Sequence, residues 1–346
     1  MNRVFIADIA SKSTNGFLIG HYATVAENYQ NIIGSIIVGG PIYKKYFSTS
    51  PLIQLPFNSE STENIIIKKI KQLLNCKKLF SIAKNDTVIL QQSALATSLI
   101  GIFLFKRKQT RLFLITYNNE GYNSFLKRIF YRLAKKKIDG IICPNTEVGK
   151  GYNLPYCIVP DYIYIGDIDN IIKSSYKEKI YDFSIIGRLS PEKQPIEVAN
   201  KFANTNYKLL IAGKTQTQDL EDNLKQICKN SPNIELKIEY ITNEEYYKCI
   251  NQSRYSILNY SEEYSNRSSG VVYDMIYNGV PVIGRRCKAL SFIEKNNLGL
   301  LYDNLCDLDF SILLNEEKHM QFIKNIYTFC KTQNTYINKL NSFIKK

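Results

Sequence analysis

The segment DFSIIGRLSPEKQ (182–194) carries two cations just after a strand-like apolar run. Arg188 follows the run directly, and Lys193 lies five residues later. In an open parallel sheet, ligands bind at the loops that follow the strands. Arginine can hold two phosphate oxygens at once, and lysine adds a compact positive charge. The segment therefore indicates a site that neutralises a diphosphate, with a solvated loop as the alternative interpretation.

A second anion-binding element is predicted about 80 residues later, in the segment 260–284. Its pattern indicates a loop, a helix that Asn266 or Ser268 can cap, an end at Asn278-Gly279, and a strand. The first N–H groups of a helix have no intrahelical acceptor and bind phosphate well. Three small residues at this start allow an anion to approach closely, namely Ser268, Ser269 and Gly270.

Both segments resemble donor-site motifs of the retaining, family-4-like glycosyltransferases of GT-B fold (glycosyltransferases group 1), in particular those of bacterial surface-polysaccharide synthesis. The run from Asp274 to Ile283 resembles a signature in which two acids, separated by seven residues, precede Gly-x-Pro-Val. Asp274 matches the second acid, whereas the first falls on Asn266, an amide. The run from Gly187 to Lys193 resembles the family's Gly-Arg-Leu-x-x-x-Lys motif.

The resemblance implies a role for each matched residue. Arg188 and Lys193 would stabilise the leaving diphosphate. Asn266 would face the donor sugar as the third catalytic residue, with Glu262 or Glu263 as the alternative if the loop is shifted. Asp274 would hold the nucleotide ribose. Further donor-binding residues are expected at Gly187, Gly213, Lys214, Ser268, Ser269 and Gly270. The family mechanism retains the anomeric configuration and implies neither a metal nor another cofactor.

Four residues of the first half are candidates for the acceptor side, namely Gly16, His21, Asn118 and Glu120. Gly16 lies in a loop after the first predicted strand, and His21 opens the next helix. Asn118 and Glu120 end a strand where many family members carry a His-Asp pair. Structural interpretations stay open for all four, since turn chemistry explains the Asn-Asn-Glu-Gly run and lone histidines are often structural.

Strand-like and helix-like segments alternate along the whole chain, which predicts an α/β fold. A length of 346 residues suits two domains. The fold expected is therefore two Rossmann-like, doubly wound domains that face a cleft. We predict an acceptor-binding domain at 1–165, a nucleotide-sugar-binding domain at 166–320, and a C-terminal helix at 321–346 that packs back on the first domain.

The net charge of +14 is concentrated in the first half, where residues 1–165 carry 21 basic and 9 acidic residues. Within it, the segment 122–137 has apolar residues at helical spacing and basic residues mainly on the other side. A core-packed helix with a solvated basic face is one interpretation. Contact with an anionic membrane surface is the other, and we include it as a predicted partner. No nucleic-acid-binding motif accompanies the charge, so nucleic acid is not expected.

Other patterns exclude several classes of protein. The two histidines and the eight cysteines, none in C-x-x-C spacing, do not suggest a zinc site. No G-x-G-x-x-G motif follows the first strand, which argues against a dinucleotide-binding fold. The longest apolar run, 94–105, is too short to span a bilayer. The opening residues lack the apolar core of a signal peptide, so we expect a cytoplasmic protein on the inner face of the membrane.

The predicted function is transfer of a sugar from a nucleotide sugar to a saccharide or polyprenyl-linked acceptor. The expected setting is synthesis of capsule, lipopolysaccharide or exopolysaccharide. Two alternatives remain open at this point. A nucleotide-sugar epimerase would use the same fold but relies on acid/base carboxylates, which are sparse here. A non-catalytic nucleotide-sugar-binding protein would need no acid at position 266.

Overall fold

A computed structural model describes residues 3–345, with gaps at 15–16, 19, 61, 92–95, 118–123, 174–178, 240 and 262–268. The chain forms two compact units. Unit 1 comprises Met1–Ile165 together with Asn334–Lys346, and unit 2 comprises Gly166–Gln333. Each unit is built on its own parallel sheet, which confirms the predicted α/β class.

Unit 1 alternates strands and helices along the chain. Its elements are β1 (Val4–Ala7), β2 (Lys12–Thr14), β3 (Phe17–Leu18), α1 (Gly20–Ile33), β4 (Ile36–Gly39), β5 (Leu52–Gln54), β6 (Ser59–Glu60), α2 (Ile65–Ile82), β7 (Thr87–Leu90), α3 (Ala96–Phe105), β8 (Arg111–Ile115), α4 (Phe125–Lys135), β9 (Gly140–Cys143), α5 (Thr146–Gly151) and β10 (Tyr156–Ile158).

In the described part of unit 1, seven of these strands form a parallel sheet in the order β10-β9-β8-β7-β1-β4-β5. The central strand β1 pairs with β4 and β7, so that Phe5 lies between Ile36 and Val88. Side chains alternate between two cores. Phe5 packs in the core that includes residues of α2, α3 and α4, whereas Ile6 packs in the core that includes residues of α1. The strands are apolar on both faces because helices cover both faces.

A small second sheet, in the order β3-β2-β6, lies in the segment that follows β1. The loop expected around Gly16 after the first strand is interrupted by the short strands β2 and β3, so that expectation is wrong for the described residues. Ser13 pairs with Leu18 in an antiparallel ladder, and Lys12 pairs with Ser59 in a parallel one. The parallel pairing joins residues far apart in sequence, and the antiparallel pairing joins strands of only two or three residues. Local sequence patterns reveal neither kind of pairing.

Unit 2 repeats the alternation with six parallel strands in the order β13-β12-β11-β14-β15-β16 among its described residues. Its elements are α6 (Asp169–Lys173), β11 (Tyr181–Ile186), α7 (Pro195–Phe202), β12 (Leu209–Ala212), α8 (Gln218–Lys229), β13 (Ile234–Lys237), α9 (Asn243–Asn251), β14 (Ser253–Leu258), α10 (Gly270–Tyr277), β15 (Val282–Arg285), α11 (Ser291–Lys295), β16 (Gly299–Tyr302), α12 (Phe310–Leu313) and α13 (Glu316–Lys331).

The C-terminal tail consists of two helices that belong to different units. Phe322 of α13 is buried in the core of unit 2. The last helix, α14 (Asn334–Lys345), belongs to unit 1, where Leu340 and Ile344 are buried. Arg111 Nη1 donates to the Ile344 carbonyl oxygen at 2.5 Å, and the Phe343 ring lies 5.2 Å from the Phe113 ring. The division between the units therefore falls at 333/334 rather than at the expected 320/321.

Helix α4 packs on the core of unit 1 through Tyr131 and Ala134, but the expectation that its apolar stripe forms the packed side is wrong for the described part of 122–137. Most of the apolar stripe of α4 faces solvent, and only Tyr131 and Ala134 of this helix are buried. Among the described residues, no helix is both long and apolar enough to cross a membrane.

His319 of α13 is buried in unit 2 and makes the stability of that unit depend on pH. Its ring is fully buried and packs edge-on against Tyr255 at 5.0 Å. Burial, with smaller contributions from the charges of Lys179 and Arg254, lowers the pKa of His319 to about 4. The ordinary pKa is near 6.5, so the unfolded chain takes up a proton at a higher pH than the folded unit does.

We therefore expect the neutral His319 to contribute stability that is fully present above pH 6.5 and is lost as the pH falls toward 4. The loss amounts to about 3 kcal/mol over this window. The variant His319→Phe keeps the aromatic contact and removes the titration. Denaturant unfolding of unit 2 followed between pH 7 and 4 should show a weaker pH dependence for the variant. An identical dependence in both proteins would contradict this role.

Candidate functional site

The loop after β11 turns sharply at Gly187. Its φ is +104°, in a region that side chains with a Cβ rarely occupy. The Gly187 N–H donates to the Ala212 carbonyl oxygen at 2.9 Å, which continues the pairing of β11 with β12 beyond the strand end. A Cβ at Gly187 would lie 3.3 Å from Val271 Cγ2 and 4.0 Å from Lys193 Nζ. The absence of a side chain therefore leaves space beside these two groups.

Gly213 ends the neighbouring strand β12 and makes the closest backbone approach in this region. Its φ is +138°, and a Cβ there would lie 1.8 Å from the Gly187 carbonyl oxygen. The two loops stay paired beyond this point, since the Leu189 N–H donates to the Lys214 carbonyl oxygen at 2.9 Å. The Lys214 side chain is exposed. At the carboxyl edge of the sheet, the positive φ of both residues and the close approach of the two backbones therefore require glycine at 187 and 213.

Lys193 supplies a cation at this edge. A short 3-10 turn, Pro191–Lys193, carries it, and the Lys193 N–H donates to the Ser190 carbonyl oxygen at 2.9 Å. The side chain is half-buried. This burial lowers the pKa of Lys193 to about 8. Neighbouring Glu192 raises it, and the positive charge of Arg188 lowers it further. Arg188 itself is exposed.

The first turn of α10 meets Lys193 across Gly187. Val271, the second residue of this helix, and Lys193 Nζ both lie within 4.0 Å of the Cβ position at Gly187. Gly270 is the first helical residue, so its N–H has no acceptor within the helix. The positive end of a helix and a lysine ammonium together form an environment that favours an anion.

Ser269 immediately precedes α10 and is not an available hydroxyl donor for a ligand in this arrangement. The residue is buried, and its Oγ lies 2.7 Å from the Tyr260 hydroxyl oxygen. It makes no side-chain capping bond to the helix. Ser269 therefore links the start of α10 to Tyr260, which follows β14. Because its hydroxyl is engaged in this contact, its position does not support the expected direct contact with phosphate.

Asp274 lies one turn further along α10, and a tyrosine from another helix orients its carboxylate. The Tyr246 hydroxyl of α9 donates to Asp274 Oδ2 at 2.7 Å. Burial, followed by the charge of Asp274, raises the pKa of Tyr246 well above its ordinary value, so the phenol stays neutral and donates. A carboxylate oriented in this way is suited to accept hydrogen bonds from sugar hydroxyls. No sequence signal pointed to Tyr246, because the contact spans 28 residues.

Ser261 ties the segment after β14 to the Lys193 turn, and sequence reasoning missed it too. Its N–H donates to the Glu192 carbonyl oxygen at 2.9 Å. Its Oγ is buried and has no hydrogen-bond partner among the described residues. Buried hydroxyls without partners are uncommon and are often explained by a missing water or ligand. The hydroxyl is therefore a further candidate for donor binding.

The structure brings together Gly187, Arg188, Lys193, Gly213, Gly270 and Asp274 within unit 2, with Lys214 at the margin. Five predicted site residues lie outside the described part of the chain, namely Gly16, Asn118, Glu120, Asn266 and Ser268. His21 is in unit 1, where it is half-buried in the first turn of α1.

His21 belongs to a polar and aromatic group at the carboxyl edge of the sheet of unit 1. Its ring lies 5.0 Å from Tyr117, which follows β8, and 5.6 Å from Tyr22. Gln91, which follows β7, donates from Nε2 to the Tyr22 carbonyl oxygen at 3.2 Å. Gln91 Oε1 and the Tyr117 hydroxyl are buried and have no hydrogen-bond partner within the described ranges. These two atoms are candidates for hydroxyl recognition that the sequence did not indicate.

The pKa of Lys193 leads to a prediction on ligand binding. Below pH 8 the ammonium is charged and attracts a diphosphate, whereas above pH 8 the free protein must first take up a proton. We expect the affinity for a nucleoside diphosphate to fall about tenfold per pH unit above 8. Isothermal titration calorimetry between pH 7 and 9.5 would measure this, and Lys193→Arg should make the profile flat. A flat wild-type profile would contradict it.

Comparison with known proteins finds the same fold in solved structures. Trehalose-6-phosphate synthase from E. coli, bound with UDP-2-fluoro glucose, has a TM-score of 0.69 at 9% identity, with 99% of both chains covered. Sucrose-phosphate synthase from Thermosynechococcus elongatus has a TM-score of 0.67 at 12% identity, with 100% of this chain and 98% of that chain covered. HepE from Anabaena in complex with UDP has a TM-score of 0.67 at 12% identity, with 100% of both chains covered.

The chain matches no protein-family model and no curated protein sequence. The solved neighbours are GT-B glycosyltransferases, so this chain has the GT-B fold of two Rossmann-like domains. The fold predicted from the sequence is confirmed.

Proposed function

We propose that this chain of GT-B fold is a glycosyltransferase that uses a nucleotide sugar as donor. The observation that carries the proposal is the approach of the Lys193 ammonium and the first turn of α10 to one point beside Gly187. A half-buried lysine and a helix start that approach the same point provide positive charge for a diphosphate. Two of the solved neighbours have UDP or a UDP-sugar bound, which supports a nucleotide-sugar donor here.

The proposed reaction breaks the bond between the anomeric carbon and the diphosphate oxygen. The bonding electron pair remains on the diphosphate, where Lys193 and Arg188 stabilise the new charge. An acceptor hydroxyl forms the new bond to the anomeric carbon on the same face, and its proton passes to a donor phosphate oxygen. This retaining route needs no protein nucleophile. In this scheme two side chains and the helix start neutralise the leaving group without a metal.

The remaining donor contacts follow from the same arrangement. Asp274, oriented by Tyr246, accepts hydrogen bonds from the ribose hydroxyls. Gly213 and Lys214 lie beside the nucleotide, and Ser261 offers an additional hydroxyl. The motif assigns contact with the donor sugar to Asn266, which lies outside the described residues. On unit 1, His21 with Tyr117 and Gln91 recognises acceptor hydroxyls.

The proposed biological setting is assembly of a bacterial surface polysaccharide. The acceptor is a saccharide or a polyprenyl-linked saccharide, and the enzyme works at the inner face of the membrane. Support for the location comes from α4, which carries four basic residues and no acidic residue in its described length. Each such residue near an anionic surface contributes about 1 kcal/mol to binding.

Incubation with a panel of nucleotide sugars, with and without saccharide acceptors, tests the function. We expect one donor to release its nucleoside diphosphate and to transfer its sugar with retained configuration, in the presence of a chelator. An isomerised sugar in the reaction with donor alone would indicate an epimerase instead. Tight binding of the donor without any turnover across the acceptor panel would favour the binding-only alternative.

A further inference from the structure

Two helices of unit 1 carry the same exposed apolar stripe. On α2 the stripe consists of Ile66, Ile67, Ile70 and Leu74, which are between 43% and 64% exposed. On α4 it consists of Phe125, Leu126, Ile129 and Leu133, which are between 37% and 75% exposed. Both stripes follow the spacing i, i+1, i+4, i+8, which places the four side chains along one side of a helix over more than two turns.

The two stripes lie on the same side of unit 1. Helix α3 packs against α2 on one side and against α4 on the other. Gly101 of α3 makes the first contact close, since a Cβ there would lie 2.3 Å from Cys76 Sγ of α2. The three helices contribute to a single core on one face of the sheet. We call their outward surface the α2–α4 face, and it comprises the two stripes and the exposed Phe103 and Leu104 at the end of α3.

The exposure is concentrated on this face rather than spread over the protein. Among the described residues, sixteen large apolar side chains are exposed, and eleven of them lie on α2, α3 and α4. Single exposed apolar residues are common on any protein, but contiguous exposed groups mark contact surfaces. The amphipathic pattern of α2 and α4 therefore has its apolar side facing outward, with other residues packed on the sheet.

The three helices behind this face carry charge of one sign, although Lys71 of α2 pairs with Glu63, which precedes the helix. The described residues of α2, α3 and α4 include nine lysines and arginines and no aspartate or glutamate. On α2, Lys69, Lys77 and Lys78 are exposed, and on α4, Arg132 is exposed beside the apolar stripe. Apolar side chains interleaved with cations are the features of helices that lie in the interface of an anionic bilayer.

We infer that the α2–α4 face docks this chain on an anionic lipid bilayer, with α2 and α4 as two parallel points of insertion. The inference extends the membrane contact proposed above, which rested on α4 alone. Two copies of this chain joined through this face would bring the exposed cations of α2 and α4 in one copy close to those of the other, which opposes self-association. An anionic bilayer can bury the apolar stripes among its acyl chains and can attract the cations with its headgroups.

Vesicle co-sedimentation with the full chain tests the inference. Wild type should bind vesicles of phosphatidylcholine with phosphatidylglycerol and should bind at least tenfold less to pure phosphatidylcholine. Ile66→Ser/Ile70→Ser on α2 and Leu126→Ser/Ile129→Ser on α4 should each lower binding at least tenfold. The matched control is Ile172→Ser/Ile312→Ser, which removes exposed isoleucines of unit 2 and should bind like wild type.

Several outcomes would overturn the inference. If the α2 variant binds vesicles within twofold of wild type while the α4 variant loses binding, α2 is excluded as an insertion point. Light scattering tests for the alternative, a wild-type dimer that becomes monomeric in the α2 variant. That result would identify a second copy of this chain, and not a bilayer, as the partner of the α2–α4 face. Absence of vesicle binding by wild type would remove the membrane contact as well. Nucleoside diphosphate binding, measured on the same variants, reports on the transferase proposal separately and should be unchanged.

Discussion

Replacement of Lys193 by alanine should lower sugar transfer by about 10²–10³-fold while unit 2 stays folded. The ammonium is positioned beside Gly187 and the first turn of α10, where it stabilises charge that develops on the leaving diphosphate. Because the free side chain is partly desolvated, its removal should not destabilise the fold. Release of nucleoside diphosphate under saturating donor measures the effect, and the kcat should change more than KM.

Arg188→Ala should have an effect in the same direction, since the exposed guanidinium lies close enough to influence Lys193. The matched control is Lys324→Ala, which removes an exposed lysine from α13 of unit 2. The control should retain wild-type turnover and wild-type melting. Transfer that is unchanged in either Lys193→Ala or Arg188→Ala would contradict the assignment of the diphosphate site.

Gly213→Ala should destabilise unit 2 by about 3 kcal/mol or more and abolish nucleotide binding. Its new Cβ would lie 1.8 Å from the Gly187 carbonyl oxygen, and neither backbone can move without breaking the pairing of the two loops. Denaturant unfolding with limited proteolysis of unit 2 would measure the loss.

Gly34→Ala provides a matched comparison for this substitution. Gly34 also has a positive φ, +66°, but nothing lies within 4 Å of the position of its Cβ. Only backbone strain opposes the alanine, so we expect a loss of about 1 kcal/mol. Equal effects of the two substitutions would show that the contact between Gly187 and Gly213 is not what makes Gly213 necessary.

Most of the parallel strands could be predicted because each is a short apolar run between turn residues. Strands β7 (Thr87–Leu90) and β16 (Gly299–Tyr302) are examples of such runs. Both sheets bury these runs on two faces, so the apolar signal is continuous and hard to miss. The strands β2 and β3 contain no comparable apolar run. They form because they pair with each other and because β2 pairs with β6, and amino-acid composition does not show this pairing.

The helices of the α2–α4 face show where periodicity fails. The helical spacing of the stripe through Ile66 and Ile70 is visible in the sequence, as is that of the stripe through Phe125 and Ile129. A helical period shows that one side is apolar, but it does not show whether that side meets the core or the outside. In both helices it faces outward, and the buried side of α2 includes polar residues such as Asn75.

The candidate site was predictable to the extent that it is local in sequence. Gly187, Arg188 and Lys193 occupy one loop, and Gly270 and Asp274 lie on one helix, so motif spacing identified them. The partners that orient these groups come from elsewhere in the chain. Tyr246, Ser261 and the contact between Gly187 and Gly213 depend on strand order, which spacing does not give.

The most direct test of this account is a crystal structure of the protein with a bound nucleoside diphosphate. We expect diphosphate oxygens within about 3 Å of Lys193 Nζ and of the Gly270 N–H, with the ribose hydroxyls on the Asp274 carboxylate. A diphosphate bound elsewhere, with Lys193 and the start of α10 free of ligand, would contradict the proposed donor site.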